Sequence, residues 1–79
     1  MALEPNADLG SPHVREKRRR RRGEILHAAL RAFRDKGYHA TLVDEIALAA
    51  DTSKGGVYFH FPNKQSIFLA LLDRLANML

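Results

Sequence analysis

Apolar residues recur at helical spacing from residue 25 to the end of this chain, and turn-forming residues cut the pattern into four pieces. Ile25, Leu26, Ala29, Leu30 and Phe33 fall at relative positions 0, 1, 4, 5 and 8, one stripe at a period of 3.6. Gly37 follows where a left-handed cap residue is wanted, and Arg34 and Lys36 suit the negative end of the helix dipole. The spacing predicts a first helix that starts at about 18–22 and ends at Lys36. Val43, Ile46, Ala47 and Ala50 predict a second, short helix, with Thr41 as its N-cap and Asp44 completing a capping box. It stops near Asp51, one of the few non-glycine residue types that tolerate a left-handed turn. Ser53 caps a third helix over about 54–60, with Val57 and Phe61 inward. Gly55 and Gly56 in its first turn each cost up to ~1 kcal/mol relative to Ala. Pro62 ends it, and Asn63 caps a fourth helix from Lys64. Ile67, Phe68, Leu71, Leu72, Leu75, Met78 and Leu79 make that helix apolar over a wide arc. No C-terminal cap signal follows, so the fourth helix is expected to be cut.

Length and composition narrow the function classes. Seventy-nine residues make one small domain, with a core too small for most enzyme clefts. There is no cysteine, so no disulfide or thiolate–metal framework can staple it. His13, His27, His39 and His60 lack metal-ligand spacing. No nucleophile–base or paired-carboxylate arrangement stands out, so neither an enzyme nor a cofactor or metal is expected. No run of 18 apolar residues can span a membrane. The arginine run leads into Gly23-Glu24 and an amphipathic pattern rather than an apolar signal core, so a cytoplasmic protein is expected.

The formal charge is +4, and all of the excess lies at one end. Residues 1–22 hold seven basic and three acidic residues, whereas residues 23–79 hold six of each. Pro5, Asn6, Gly10, Ser11 and Pro12 make residues 1–14 read as a disordered tail. Seven of the eight residues at 15–22 are cationic. Like charges at i, i+4 repel on a helix, so this run is expected to fray without a partner. The chain thus divides into a disordered basic arm, 1–17, and a folded domain, 18–79. Arg20, Arg21 and Arg22 are candidate contacts to the phosphates or the minor groove of a duplex.

Two short helices joined by a turn of about four residues form a helix-turn-helix. The small residues Ala47 and Ala50 let the second and third helices cross closely. Ser53, Lys54, Gly55, Gly56 and Tyr58 are left on the outer face of the third helix. That face is short and polar, and its glycines remove bulk, so its backbone can approach a groove edge. Its free N–H groups favour a phosphate.

The stretch Thr41-Leu42-Val43-Asp44-Glu45-Ile46-Ala47, followed by 53–64 (SKGGVYFHFPNK), resembles the N-terminal DNA-binding domain of TetR-family transcriptional regulators. Ile25-Leu26, Ala28-Ala29, Phe33 and Gly37-Tyr38 extend the resemblance over roughly 20–68. It implies an all-α, homeodomain-like three-helix domain plus the start of a fourth helix. It also implies a homodimer that reads a palindromic double-stranded DNA operator. A further helical domain, absent here, would dimerise and bind a small-molecule effector, and a ligand-responsive repressor is expected. By the same resemblance Thr41 touches a phosphate, and Ser53, Lys54 and Gly56 begin the base-facing surface. Tyr58, His60 and Lys64 contact backbone phosphate. The family commonly has Gly where this chain has Asp51, so the turn is either strained or locally capped by the acid. Thr or Ser is common where Gly56 stands, so one hydrogen-bonding side chain is missing.

Each assignment has a plainer rival. The arginine run also suits a solvated tail, or an RNA-binding peptide on a small helical domain, but the RNA reading leaves 53–61 without a purpose. Tyr58 also suits a half-buried core aromatic, His60 a packing residue and Lys64 an ordinary helix-start lysine. A cation at the positive end of a dipole is unfavourable, which favours an anion beside Lys64. Phe33 and Tyr38 are assigned to the core, and part of the fourth helix's apolar arc to an interface with the absent domain.

Overall fold

The computed structural model describes residues 12–79. Four helices follow one another: α1 Pro12–Lys36, α2 Val43–Ala49, α3 Lys54–His60 and α4 Lys64–Ala76. No strand occurs among the described residues. α1 packs against α2 and α4, and α2 packs against α3. Ile25, Leu26, Ala28 and Ala29 of α1 meet Ile46, Ala47 and Ala50, with Val57, Phe61, Ile67 and Leu71 closing the core. Fully burying a side chain such as Ile25 or Ile46 stabilises by about 1.5–3 kcal/mol. Leu30, placed on the inward stripe by spacing alone, is 41% exposed, and the smaller Ala28 is buried instead. Phe33, Tyr38 and Phe68 form a second, aromatic cluster, with the Tyr38 ring 5.3 Å from each of the other two.

The first helix corrects the expected arm. α1 begins at Pro12, so residues 12–17 are helical rather than a disordered tail, and the arginine run does not fray. The rest of that tail, 1–11, lies outside the described residues. Three effects outweigh like-charge repulsion. Proline is tolerated in the first turn, where its missing N–H is not needed. Arginine is a good helix former, and a helix propagates readily from a packed segment. Glu16 and Glu24 also supply i, i+3 partners, at 2.8 Å to Arg19 and 3.5 Å to Arg21.

The other boundaries follow local caps. Gly37 takes a positive φ of 89° after α1. Asp51 takes φ 58° after α2, where Thr52 N–H donates to Ala47 O and Asp51 N–H to Leu48 O. This is a Schellman closure. Among the described residues no hydrogen bond or ion pair engages the Asp51 carboxylate, so of the two expected outcomes the turn shows the left-handed backbone without acid capping. At α3, Gly56 N–H donates to Ser53 Oγ at 2.9 Å. At α4, Ser66 N–H donates to Asn63 Oδ1 at 2.8 Å, and Asn63 N–H donates to Ser66 Oγ at 3.2 Å.

The expected cap on α2 is displaced by one residue. Leu42 is the N-cap, and its N–H donates to the Glu45 carboxylate at 2.9 Å. Thr41 is fully buried, and its hydroxyl donates to the carbonyls of Gly37 (2.7 Å) and Ala32 (3.2 Å). It ties the α1–α2 loop to the end of α1 instead of capping α2.

Candidate nucleic-acid interface

The α2–α3 turn sets α3 across α2 with Val57 inward and most of its remaining residues at the surface. A shallow groove of about 320 Å³ joins the heads of the two helices, lined in part by Leu42, Asp44, Lys54, Tyr58 and Lys64. Lys54 Nζ lies 3.1 Å from Asp44 Oδ1. Both groups are exposed, and the carboxylate holds the lysine pKa above its ordinary value through their hydrogen bond and charge. Exposed pairs of this kind stabilise little, so Lys54 is readily released to another anion. Ser53 and Gly55 are exposed, and Gly56 is half-buried. Tyr58 is 44% exposed at the groove's edge, accessible to a partner rather than closed into the core. Of the expected residues, Lys54 and Tyr58 share the groove, while Ser53, Gly55 and Gly56 lie at the start of α3 beside it.

Other candidates serve the fold. The Thr41 side chain, a candidate phosphate contact, is buried, and its hydroxyl serves two carbonyls within the protein. Lys64 Nζ donates to the carbonyls of Tyr38 at 2.7 Å and Thr41 at 3.0 Å, and lies 4.4 Å from the Tyr38 ring centroid. The unfavourable dipole at the head of α4 is thus offset by loop carbonyls and a π face within the protein. Arg21 donates to the carbonyls of Ala50 (3.1 Å) and Asp51 (3.3 Å), bracing α1 against the α2–α3 turn. Arg22 stacks over Phe61 at 5.0 Å. Of the three arginines, Arg20 alone is exposed without such a tertiary contact.

His60 is half-buried, edge-on to Phe59 at 5.0 Å. Burial, followed by the positive fields of Arg22, Arg21 and Arg18, pushes its pKa below the ordinary value. The imidazole therefore sits in a cationic corner of the surface. The Glu45 carboxyl is also held below its usual range, in its case by hydrogen bonds from Lys36 and from the Leu42 N–H.

Two residues of this face escaped the pattern-based selection. Phe59 is 70% exposed. Its signal is angular, because it follows the inward Val57 by two residues, about 200° around a helix. Thr52 lies in the turn just before the N-cap Ser53, outside the helical pattern. On the other side, between α1 and the end of α2, an open groove of about 880 Å³ carries Arg20, Glu24, Arg31 and Asp35. Its mixed charge gives no single-sign attraction for a polyanion.

The profile of bacterial regulatory proteins of the tetR family matches residues 25–71, more than half of the chain. The HTH-type transcriptional activator FasR of Mycolicibacterium smegmatis is 50% identical over 54 residues, covering 68% of this chain and 25% of FasR. The HTH-type transcriptional regulator YuxN of Bacillus subtilis is 43% identical over 49 residues, covering 62% of this chain and 17% of YuxN. The HTH-type transcriptional regulator TtgR of Pseudomonas putida is 39% identical over 62 residues, covering 78% of this chain and 30% of TtgR. The chain thus spans less than a third of the length of these relatives. No solved structure matches it significantly.

Proposed function

Because the chain belongs to the tetR family of bacterial regulatory proteins, we propose that it is the DNA-reading module of a transcriptional regulator. The observation that carries this reading is the Schellman-closed turn, which turns α3 outward with Ser53, Lys54, Tyr58 and Phe59 accessible. In this reading α3 enters the major groove of a duplex. Lys54 exchanges Asp44 for the nucleic acid, and the bare first turn at Gly55 and Gly56 permits close approach. Tyr58 and His60 face the phosphate backbone, and Arg20 adds long-range attraction. Thr41, Arg21, Arg22 and Lys64 hold this surface in shape.

The remainder of the regulator supplies what this module lacks. Leu69, Leu72 and Leu75 leave one face of α4 exposed and apolar, suited to packing against a further helical domain. That domain would pair two copies, so that two α3 helices read a palindrome, and would hold the small-molecule effector. Ligand-responsive repression is the expected mode, although FasR, an activator by name, shares a similar segment. Among the described residues no helix is long and apolar enough to cross a membrane. A cytoplasmic site of action is part of the proposal.

Selection from a random duplex pool tests the reading. An enriched palindromic sequence supports it, with weak binding by the isolated chain because a single half-site lacks the avidity of a dimer. Failure to enrich any duplex, or preferential capture by structured RNA in competition, refutes it.

A further inference from the structure

The head of α3 is short of free side chains. Gly55 and Gly56 have none, Lys54 is paired with Asp44, and the Ser53 hydroxyl oxygen caps Gly56 N–H. Thr52, in the turn just before, is half-buried. Its backbone N–H closes the turn on Ala47, but among the described residues its hydroxyl makes no hydrogen bond. A Cβ built on Gly56 would fall 2.2 Å from Thr52 Oγ1 and 3.5 Å from Thr52 Cβ. The threonine hydroxyl thus fills the space from which a side chain at residue 56 would start. A side chain at 56 would require that hydroxyl to rotate away. Glycine at 56 and threonine at 52 therefore form a matched pair, in which one residue cedes room to the other.

We infer that Thr52 is a specificity-determining residue, whose hydroxyl reads a base edge in place of the side chain that residue 56 lacks. This rests on the reading of α3 as the element that meets the major groove. The hydroxyl can donate and accept, and both capacities are unused within the protein. It also flanks the side-chain-free first turn, where the backbone can approach base edges most closely. A serine or threonine hydroxyl in the major groove can pair with either donor or acceptor edges.

The test uses the duplex selected by the parent chain and all its single-base-pair variants, with affinities measured by fluorescence anisotropy. Thr52→Val preserves the branched shape and removes the hydroxyl, whereas Thr52→Ser keeps the hydroxyl. The expected result is a three- to tenfold loss of discrimination at one base pair in the Val protein, the scale of one net hydrogen bond. Discrimination at the other positions stays unchanged, and the Ser protein behaves as the parent. Thr52→Ala is read in parallel, and melting curves confirm that each protein is folded. Unchanged discrimination in both hydroxyl-less proteins overturns the inference. Equal weakening on every sequence also overturns it, because that pattern marks a phosphate contact. A parent chain that selects a sequence while Thr52 proves silent leaves the DNA-reading proposal standing. A parent that selects none removes both.

Discussion

Replacing Lys64 by methionine separates a lysine that holds the fold from one that holds DNA. Methionine keeps most of the apolar stem and removes the ammonium. The ammonium donates to two part-buried carbonyls, Tyr38 O and Thr41 O, and lies over the Tyr38 ring. Charged hydrogen bonds contribute about 1.5–3 kcal/mol each, but these carbonyls sit in a surface loop where water can replace the lysine. The two together are therefore taken at about 1.5 kcal/mol, with about 0.5 kcal/mol more from the ring. A total near 2 kcal/mol lowers the melting temperature of a domain this size by roughly 8–16 °C. Thermal unfolding followed by circular dichroism reads the change. Duplex affinity, measured well below both melting points, is expected to fall less than about threefold, because the remaining cations still supply the attraction. The reverse pattern refutes the reasoning: a melting temperature within about 2 °C of the parent, with affinity lost on every sequence, makes Lys64 a phosphate ligand.

Three further outcomes follow from the same geometry. Asp51→Val places a β-branched residue at a positive φ and should destabilise by about 1–2 kcal/mol, whereas Asp51→Gly should stabilise by up to roughly 1 kcal/mol; urea midpoints check the order of the three proteins. Arg20→Gln should reduce the slope of log affinity against log salt by about one with little change in melting, while Arg21→Gln should cost about 1 kcal/mol of stability through its lost carbonyl contacts. His60 has a folded pKa below its unfolded value, so the unfolded chain takes up the proton first as pH falls. The stability it contributes is fully present above about 6.5 and declines as pH drops through the folded value, a loss that His60→Gln should abolish. A docked phosphate would reverse the local field, so duplex affinity should rise as pH falls across that window in the parent but not in His60→Gln; equal slopes would exclude His60 from the interface.

What the sequence makes legible here is what neighbours along the chain decide. Gly37, Ser53 and Asn63 mark helix ends because each acts on backbone groups within a few residues, and all three do so in the structure. Asp51 belongs with them, since a left-handed residue after α2 is a property of the turn itself. Thr41 illustrates the limit. A threonine three residues before an acid reads as a cap, yet its hydroxyl turns back to the end of α1, to Gly37 O at 2.7 Å and to Ala32 O, nine positions back, at 3.2 Å. The resemblance points Lys64 to a phosphate and charge points Arg21 to a phosphate or the minor groove, but both have partners within the protein 23–30 residues away. The start of α1 is illegible for a different reason: repulsion within the arginine run is visible locally, but the helix nucleated by the packed segment beside it is not, and the glutamates one turn away offset part of that repulsion. Among the interface candidates, helical spacing alone assigns Lys54 and Tyr58 to an outer face, whereas Thr52 is proposed only from its approach to Gly56 in three dimensions.

The bond from Arg21 to the α2–α3 turn carries a mechanical consequence. It ties the charged helix to the end of α2 and the turn that leads into α3. Residues 12–20 then project as a strut of roughly 13 Å, at 1.5 Å per residue, whose bearing relative to α3 is set by the protein. A floppy tail would sample phosphates on any side of the duplex. A braced strut keeps a constant offset from the bases being read, so its protection pattern in a footprint should move in step with the operator when the site is shifted along the DNA.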